Sequence, residues 1–544
     1  MKIRPDIVQV YREVHSWVGI LCSLFLFVAF YAGSISMFEQ SLQVWLTPAS
    51  SLPKPVELSD TPQLLQKVFA QYPDARTHYT IIVNPDNARP ARLMWAQNPT
   101  YRGSGPQNYV LGALSPDGEL HTLVSGPSGI PFFIDQLHEQ IGLPLPHVAA
   151  RYTMGCVAVS YFLALVSGVI IFFPSLKKML FALRLGTATR KVWLDMHNLV
   201  GFFSLPFHFI MAATAVVFAF HGPIFALQGK LFQHGQLAAR GLIQQHGHEK
   251  SRSENNTTQI VGQEGLMPPQ AVLAELHKQA PGFIADTLEY TTQSGGGKSR
   301  TTLRIAGHDE RYPTLGASNG FAVVDPANGR VLSADYLPGH QSAGFAALTA
   351  FIALHFGSYG GLPVRWGYYC LGLGGAFLFY TGSRLWIIAR QKREQHAGKS
   401  SKQRRTTWLL SCLTTGGFTG CITGIAILFI CAPFLPLGGT YNQAFFLYYT
   451  VFLLCMGLSF ILRESQREPF LFRVAGYANI AIAPVMLVAM LGGRAVLPSL
   501  GVGMVALVLG CFLLRSVRRF TCGPSAADVS PIFSQKITGE TKMG

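Results

Sequence analysis

The stretch DMHNLVGFFSLPFHFIMAATAVVFAF, residues 195–220, places two histidines in an apolar run long enough to cross a membrane. His197 and His208 are eleven residues apart. In a continuous α-helix, this spacing brings both imidazoles to within about 20° of the same face, roughly 16 Å apart along the axis. Polar side chains inside membrane spans are costly and usually functional, so both histidines are candidate site residues.

The rest of the chain has the composition of a membrane protein. Of its 544 residues 49% are hydrophobic and only 13% are charged, which excludes an ordinary soluble domain. Runs of about twenty apolar residues are needed to cross the hydrocarbon core. We therefore predict a mainly α-helical polytopic membrane protein with about eight transmembrane helices, at 16–38, 153–174, 195–220, 364–389, 408–432, 444–462, 471–491 and 496–514.

The net charge of +16 follows the membrane topology rather than a nucleic-acid partner. Basic residues are concentrated on one side of the membrane if the eight spans alternate, namely in 1–12, 177–191, 390–405, 463–473 and after Arg515. This positive-inside pattern predicts that both termini are cytoplasmic, in contact with the lipid bilayer and with no nucleic acid. The long charged leader and long apolar run favour an uncleaved first helix over a signal peptide.

Two long segments outside the membrane, about 39–150 and 222–362, resemble each other. Each begins with a helix-like stretch and continues into β-rich segments separated by turn residues. We predict two small α+β modules, with none of the nine cysteines in either segment and therefore no disulfide framework. The predicted division of the chain is 1–38, 39–150 (module 1), 151–221, 222–362 (module 2), 363–392, a basic loop at 393–407, a four-helix C-terminal membrane unit at 408–515, and a cytoplasmic tail at 516–544.

Histidines at the cytoplasmic ends of two spans point to a shared metal. His15 lies at the start of the first predicted span and His197 at the start of the third, so the two lie at one depth. Neutral imidazole is the usual axial ligand of b-type haem. We therefore predict that these two side chains bind one haem in the cytoplasmic leaflet.

The partner of the deeper His208 is left open by the sequence. His138 precedes the second span and His355 precedes the fourth, so both lie near the outer face. Either could bind a second haem together with His208, or the two could bind it with each other. Arg12 and Arg365 are placed to pair with haem propionates.

Four segments carry a resemblance to a known family. They are YREVHSWVGILCSLFLFVAFYAGSISMFE, LHEQIGLP leading into ARYTMGCVAVSYFLALVSGVIIFFP, KVWLDMHNLVGFFSLPFHFIMAATAVVFAF, and LHFGSYGGLPVRWGYYCLGLGGAFLFYTGSRLWIIAR. In this order they resemble the PepSY-associated transmembrane family of the bacterial inner membrane, over about residues 1–392. The two outer segments look like the PepSY-type domains of that family. The ATAVV that ends helix three departs from the family's Thr-Gly pair, and 406–514 is not part of the core pattern.

The resemblance implies a membrane reductase linked to iron uptake. One or two haem b groups, with ligands among His15, His197, His208, His138 and His355, would carry electrons to a periplasmic ferric siderophore or other ferric chelate. No nicotinamide- or flavin-binding motif is visible, so the donor would be an unidentified cytoplasmic protein or a quinol.

An alternative function of a different class is a non-enzymatic membrane protein. Its periplasmic modules would bind a ligand or regulate a peptidase. This alternative predicts no cofactor and gives the aligned His197 and His208 no purpose. No GxSxG or HExxH motif supports a hydrolase.

Overall fold

The computed structural model describes residues 4–46, 52–86, 89–96, 109–125, 128–173, 189–231, 265–295, 298–312, 320–397, 401–436, 439–492 and 499–521. Most of the predicted basic segment 177–191 and of the tail 516–544 lies outside these ranges. Within them the α-helices are α1 (Pro5–Ser36), α2 (Glu39–Leu46), α3 (Thr61–Gln71), α4 (Gly129–Glu139), α5 (His147–Phe172), α6 (Thr189–Phe203), α7 (Leu205–Leu231), α8 (Pro269–Gln279), α9 (Ala343–Phe356), α10 (Gly361–Ala397), α11 (Ser401–Cys431), α12 (Tyr441–Ile461), α13 (Glu464–Leu491) and α14 (Ser499–Thr521).

The membrane architecture agrees with the predicted one. Seven helices of the described part of the chain are long and apolar enough to cross a membrane; they contain Asp6–Ser36, His147–Phe172, Leu205–Ile224, Gly361–Glu394, Arg405–Phe434, Tyr441–Ile461 and Glu464–Leu491. The eighth predicted span, 496–514, corresponds to α14, whose apolar stretch Gly501–Val517 is shorter than the others.

The third predicted span differs from the prediction because it is two helices. The expectation of one continuous helix over 195–220 is wrong: α6 ends at Phe203 and α7 begins at Leu205. Pro206 has no backbone N–H to continue the ladder. Ser204 still donates to the Val200 carbonyl at 3.0 Å, and its own carbonyl accepts from His208 at 3.0 Å. The angle of about 20° between His197 and His208, which assumes one continuous helix, therefore does not apply.

Five helices of the described structure, α6 and α7 together replacing one predicted span, form the N-terminal bundle. Helix α1 packs against both α5 and α10, α5 packs against α7, and α6 packs against α10. The approach of α10 to α1 depends on glycine, since a Cβ at Gly372 would collide with Ser34 and one at Gly375 with Phe30. Small residues at helix crossings of this kind let membrane helices pack closely.

The two predicted modules share one antiparallel sheet. Its strands are β1 (His78–Ile82), β2 (Leu93–Ala96), β3 (Tyr109–Leu114), β4 (Leu120–Ser125), β5 (Ile284–Gly295), β6 (Lys298–His308), β7 (Gly320–Val324) and β8 (Val331–Ser333). The order is β4-β3-β2-β1-β5-β6-β7-β8, so each module supplies one half and the halves join where β1 pairs with β5. The joining of the modules was not predicted from their separate β-patterns.

One helix from each module covers the same face of this sheet. Leu64 and Val68 on α3 are four residues apart, as are Val272 and Leu276 on α8, so each pair lies on one helix face. All four side chains belong to the same buried cluster as the inward-facing residues of the strands. The two modules therefore have one hydrophobic core between them.

The C-terminal unit consists of α11–α14. Helix α11 packs against α12 and α13, α13 packs against α14, and α11 also contacts α10 and α1. An ion pair between Arg384 on α10 and Glu468 on α13, whose side chains are 16% and 14% exposed, joins this unit to the N-terminal bundle. Removing one partner would leave a largely desolvated charge uncompensated, which is destabilising.

A stacked tyrosine pair at the seam of the sheet should determine its stability. The rings of Tyr79 and Tyr290 are 4.8 Å apart and nearly parallel, and each side chain is 2% exposed. We expect Tyr290→Ala to destabilise the sheet by about 3–5 kcal/mol, the usual cost of removing a buried ring. Native-state hydrogen exchange of β1 and β5 in the full-length protein measures this. Tyr312→Ala, at a ring that is 43% exposed, is the control and should change exchange little; equal effects of the two variants would contradict the prediction.

Candidate cofactor site

The inner histidine pair lies between α1 and α6. The ring centres of His15 and His197 are 6.3 Å apart, with an angle of 77° between the ring planes. Both histidines were predicted to share one depth, and the structure brings them together. Each ring packs against a glycine of a neighbouring helix: Gly168 on α5 faces the His15 ring, and Gly382 on α10 faces the His197 ring. A larger side chain at either position would contact the imidazole.

Hydrogen bonds define the tautomer of each inner imidazole. His15 Nδ1 is 2.8 Å from the Ala164 carbonyl, which can only accept. His197 Nδ1 is 3.0 Å from Thr381 Oγ1, and that hydroxyl already donates to the Leu378 carbonyl at 2.8 Å. Thr381 must therefore accept from His197. Both imidazoles carry their proton on Nδ1, which leaves the Nε2 lone pair of each ring available to a metal.

The outer pair consists of His138 on α4 and His355 on α9. Their ring centres are 6.1 Å apart and their planes make an angle of 37°. His138 Nδ1 donates to the Ala29 carbonyl at 2.8 Å, and Gly33, one turn further along α1, faces its ring. Of the pairings left open by the sequence, the structure brings together these two residues.

The His355 tautomer follows from the same reasoning. Its Nδ1 is 2.7 Å from Thr214 Oγ1, which donates its own hydrogen to the Ile210 carbonyl at 2.6 Å. Thr214 therefore accepts from His355. All four paired imidazoles present a free Nε2, and an Nδ1–H bound to a helix is the outer-shell contact that orients metal-binding histidines.

The ring separations fit ligation of one metal by two imidazoles. If each nitrogen lies about 2 Å from a metal between the rings, the ring centres are about 6 Å apart. The measured values are 6.3 Å and 6.1 Å. Among the described residues no group of three or more His, Cys, Asp or Glu side chains could hold a metal ion, so multidentate protein sites are not the pattern here.

A cavity opens at the outer pair. Its volume is about 200 Å³, and both His138 and His355 line it. Its wall includes the apolar side chains of Leu26, Phe30, Met154, Phe207 and Met211. These side chains give the cavity a partly apolar wall, which is the surface that a hydrophobic group would contact.

The predicted cations differ in position. Arg365 lines the outer cavity, where its guanidinium is available to an acidic group of a bound ligand. Arg12 is exposed on α1, one turn before His15. Its pairing with a propionate stays a prediction.

His208 has surroundings unlike those of the four paired histidines. The rings around it in the described structure are those of Tyr161, Phe30, Phe207 and Phe379, and it is not paired with a second imidazole. Its Nδ1 is 2.5 Å from Tyr161 Oη, whereas its Nε2 is buried with no hydrogen-bond partner. Its role as a ligand stays a prediction.

Two carboxyl groups beside the outer pair were missed in the sequence. Glu39 and Asp135 line the outer cavity, and Asp135 lies three residues before His138 on α4. The motif DQLHE carried this signal, because residues three apart share a helix face. Burial, with the neighbouring Asp135 charge, raises the pKa of Glu39 to about 7.

The raised Glu39 pKa predicts a pH-dependent stability. The folded state retains a proton between the ordinary glutamate pKa and about 7, so the stability contributed by protonated Glu39 is lost as pH rises through this window. We expect the thermal unfolding midpoint to fall as pH rises from about 5 to about 8. Glu39→Gln should flatten this slope, while Glu57→Gln on the outer module serves as a control. An unchanged slope in the Glu39 variant would count against the assignment.

Comparison with known proteins gives a match to one family. A search of curated proteins found no match. A family model described as the PepSY-associated TM region matches residues 12–389, more than half of the 544 residues. The matched range includes both histidine pairs and the eight-stranded sheet, and ends before the C-terminal unit. The chain therefore belongs to the PepSY-associated transmembrane family.

Proposed function

We propose that the protein is a haem-containing reductase of the bacterial inner membrane. One haem b would be held by His15 and His197 and a second by His138 and His355. Electrons would enter from a cytoplasmic protein or a quinol and reduce a ferric siderophore or another ferric chelate in the periplasm. The observation that carries the proposal is the set of four imidazoles, paired at 6.3 Å and 6.1 Å with every Nδ1 occupied.

The chain would orient the ligands and supply part of an apolar wall. Haem iron, when bound, supplies one-electron chemistry. The helix carbonyls and threonine hydroxyls would orient each imidazole, and apolar side chains form part of the wall of the outer cavity. Arg365 would hold an acidic group at the cavity.

The spacing of the pairs supports transfer across a membrane. His15 belongs to the inner pair, and Ala29, whose carbonyl binds His138, marks the outer pair on the same helix. The offset of fourteen positions between them corresponds to about 21 Å along α1. Two haem sites at this separation would shorten the distance that an electron crosses in one transfer within a hydrocarbon core of about 30 Å.

The outer sheet is directly connected to the outer pair. Strand β4 is followed by α4, which carries His138, and β8 is followed by α9, which carries His355. The two edge strands of the sheet are therefore the strands that lead directly into the helices of the two outer ligands. A ferric chelate bound at the sheet would contact the segments that carry these ligands. Reduction to Fe(II) weakens the hold of hard oxygen ligands, so iron would be released without breaking the chelator.

Haem content tests the ligand assignment. We expect purified full-length protein to contain two b-type haems, measured as the pyridine haemochrome. His197→Ala should remove one haem and His355→Ala the other, because each leaves a single imidazole. His208→Ala should retain both, as should the control His121→Ala on exposed β4. A protein without a Soret band would refute the proposal, and loss of a haem in the His208 variant would refute the assignment of four ligands.

Electron flow tests the reaction. Respiring spheroplasts that express the chain should reduce an external ferric chelate, measured by trapping Fe(II) with a membrane-impermeant chelator. We expect His15→Ala and His138→Ala each to lower the rate by about tenfold or more, since each interrupts a different site. His121→Ala should keep the parent rate. Reduction by both site variants at the parent rate would show that the pairs carry no electrons.

A further inference from the structure

Helix α4 belongs to the N-terminal half, but the C-terminal unit contacts it at three places: its beginning, its middle and the turn that follows it. We call this set of contacts the clamp. Its first residue, Gly129, donates from its backbone N–H to the Gly439 carbonyl at 2.8 Å. Gly439 lies just before α12. A Cβ at position 129 would collide with the backbone of Thr440 and Tyr441. The beginning of α4 is therefore in backbone contact with the C-terminal unit, at a distance that only glycine permits.

The middle of α4 is inserted among rings of α12. Phe133 is 2% exposed. Its ring lies 5.4 Å from that of Tyr448 and within 5.7–6.3 Å of three further rings, those of Tyr441, Phe445 and Tyr449. Edge-to-face contacts of this kind add to the burial of the rings and fix the rotation of α4.

The turn after α4 is held by the same helix. Tyr449 Oη donates to the Gly142 carbonyl at 3.3 Å. Gly142 has a φ of +72°, and the preceding Ile141 a φ of 51°, a strained value for a β-branched residue. A conformation of this cost persists only where surrounding contacts enforce it, and the Tyr449 bond is one of those contacts.

The opposite side of α4 carries the outer ligand. His138 donates to the Ala29 carbonyl at 2.8 Å and fits against Gly33 of α1. Helix α4 is thus held between α1, which receives its histidine, and α12, which contacts its beginning, its middle and the turn that follows. A displacement of α4 away from α12 would move the His138 ring relative to His355.

We propose that the C-terminal unit, which lies beyond the family-matched residues 12–389, positions His138 through α4. Gly129 and Tyr449 are positioning residues of the outer pair. This inference rests on the proposed function, in that the outer pair is the ligand set it would tune. It gives the appended four helices a role that neither their composition nor their lack of histidine indicates.

Two variants and a matched control test this role in the full-length protein. Gly129→Ala introduces a clashing Cβ, and Tyr449→Phe removes only the bond to Gly142. Gly457→Ala, also on α12, is the control because no atom lies within 4 Å of its Cβ position. We expect hydrogen exchange of 129–142 to accelerate by about tenfold in Gly129→Ala and about fivefold in Tyr449→Phe, with no change in Gly457→Ala.

Two readouts separate positioning from mere packing. The first is the low-spin electron paramagnetic resonance signal of the outer site, which we expect to shift while the inner-site signal stays constant. The second needs no cofactor: modification of His138 by diethyl pyrocarbonate should be faster in both variants. If Gly129→Ala fails to fold, Tyr449→Phe decides the question alone.

The contradicting outcomes are distinct. Unchanged exchange and unchanged His138 modification would overturn the clamp, and faster exchange with a constant outer signal would overturn the positioning of a ligand. A parent protein without haem would defeat the proposed function but not this test, because His138 modification would then decide whether α12 sets the position of that side chain.

Discussion

Hydrogen bonds from Nδ1 of four partly buried imidazoles organise the N-terminal half, because a polar ring placed among apolar helices gains stability from such partners. The Nδ1 of each paired histidine forms a hydrogen bond to a neighbouring helix. These bonds run from α1 to α5, from α6 to α10, from α4 to α1, and from α9 to α7. The bonds that orient the rings therefore also connect the helices. Within the described residues these bonds use Nδ1 only, so the four Nε2 atoms would be the ones to bind a metal held by each pair.

The same arrangement occurs twice along the chain. Each repeat has a first span with an inner histidine, an outer module, a short helix with an outer histidine, and a second span. The sheet shows the same relation, since its strand order is symmetric about the β1–β5 seam. Gly168 and Ala164 at His15 are four residues apart, as are Gly382 and Leu378 at the second inner histidine. Each histidine pair is thus formed by equivalent residues of the two repeats.

The sequence predicted the elements better than their contacts. Apolar runs determine spans locally, and equal depth was enough to match His15 with His197. The His138–His355 pairing was left open because it depends on how two short helices approach each other, which no local pattern specifies. The joining of the modules at Tyr79 and Tyr290 is likewise a long-range contact. The break between α6 and α7 had a signal in the sequence, namely Pro206. The apolar run continues on both sides of this proline, and it therefore favoured the prediction of a single helix.

The duplication also explains why His208 stands apart. His197 is equivalent to His15, so the residue equivalent to His208 is eleven positions after His15, which is Leu26. Leu26 is a buried apolar side chain that lines the outer cavity. A pair built from equivalent positions cannot form where one repeat has leucine, and His208 instead meets Tyr161 of α5. The repeat therefore accounts for two equivalent histidine pairs and for one histidine that has no equivalent in the other repeat.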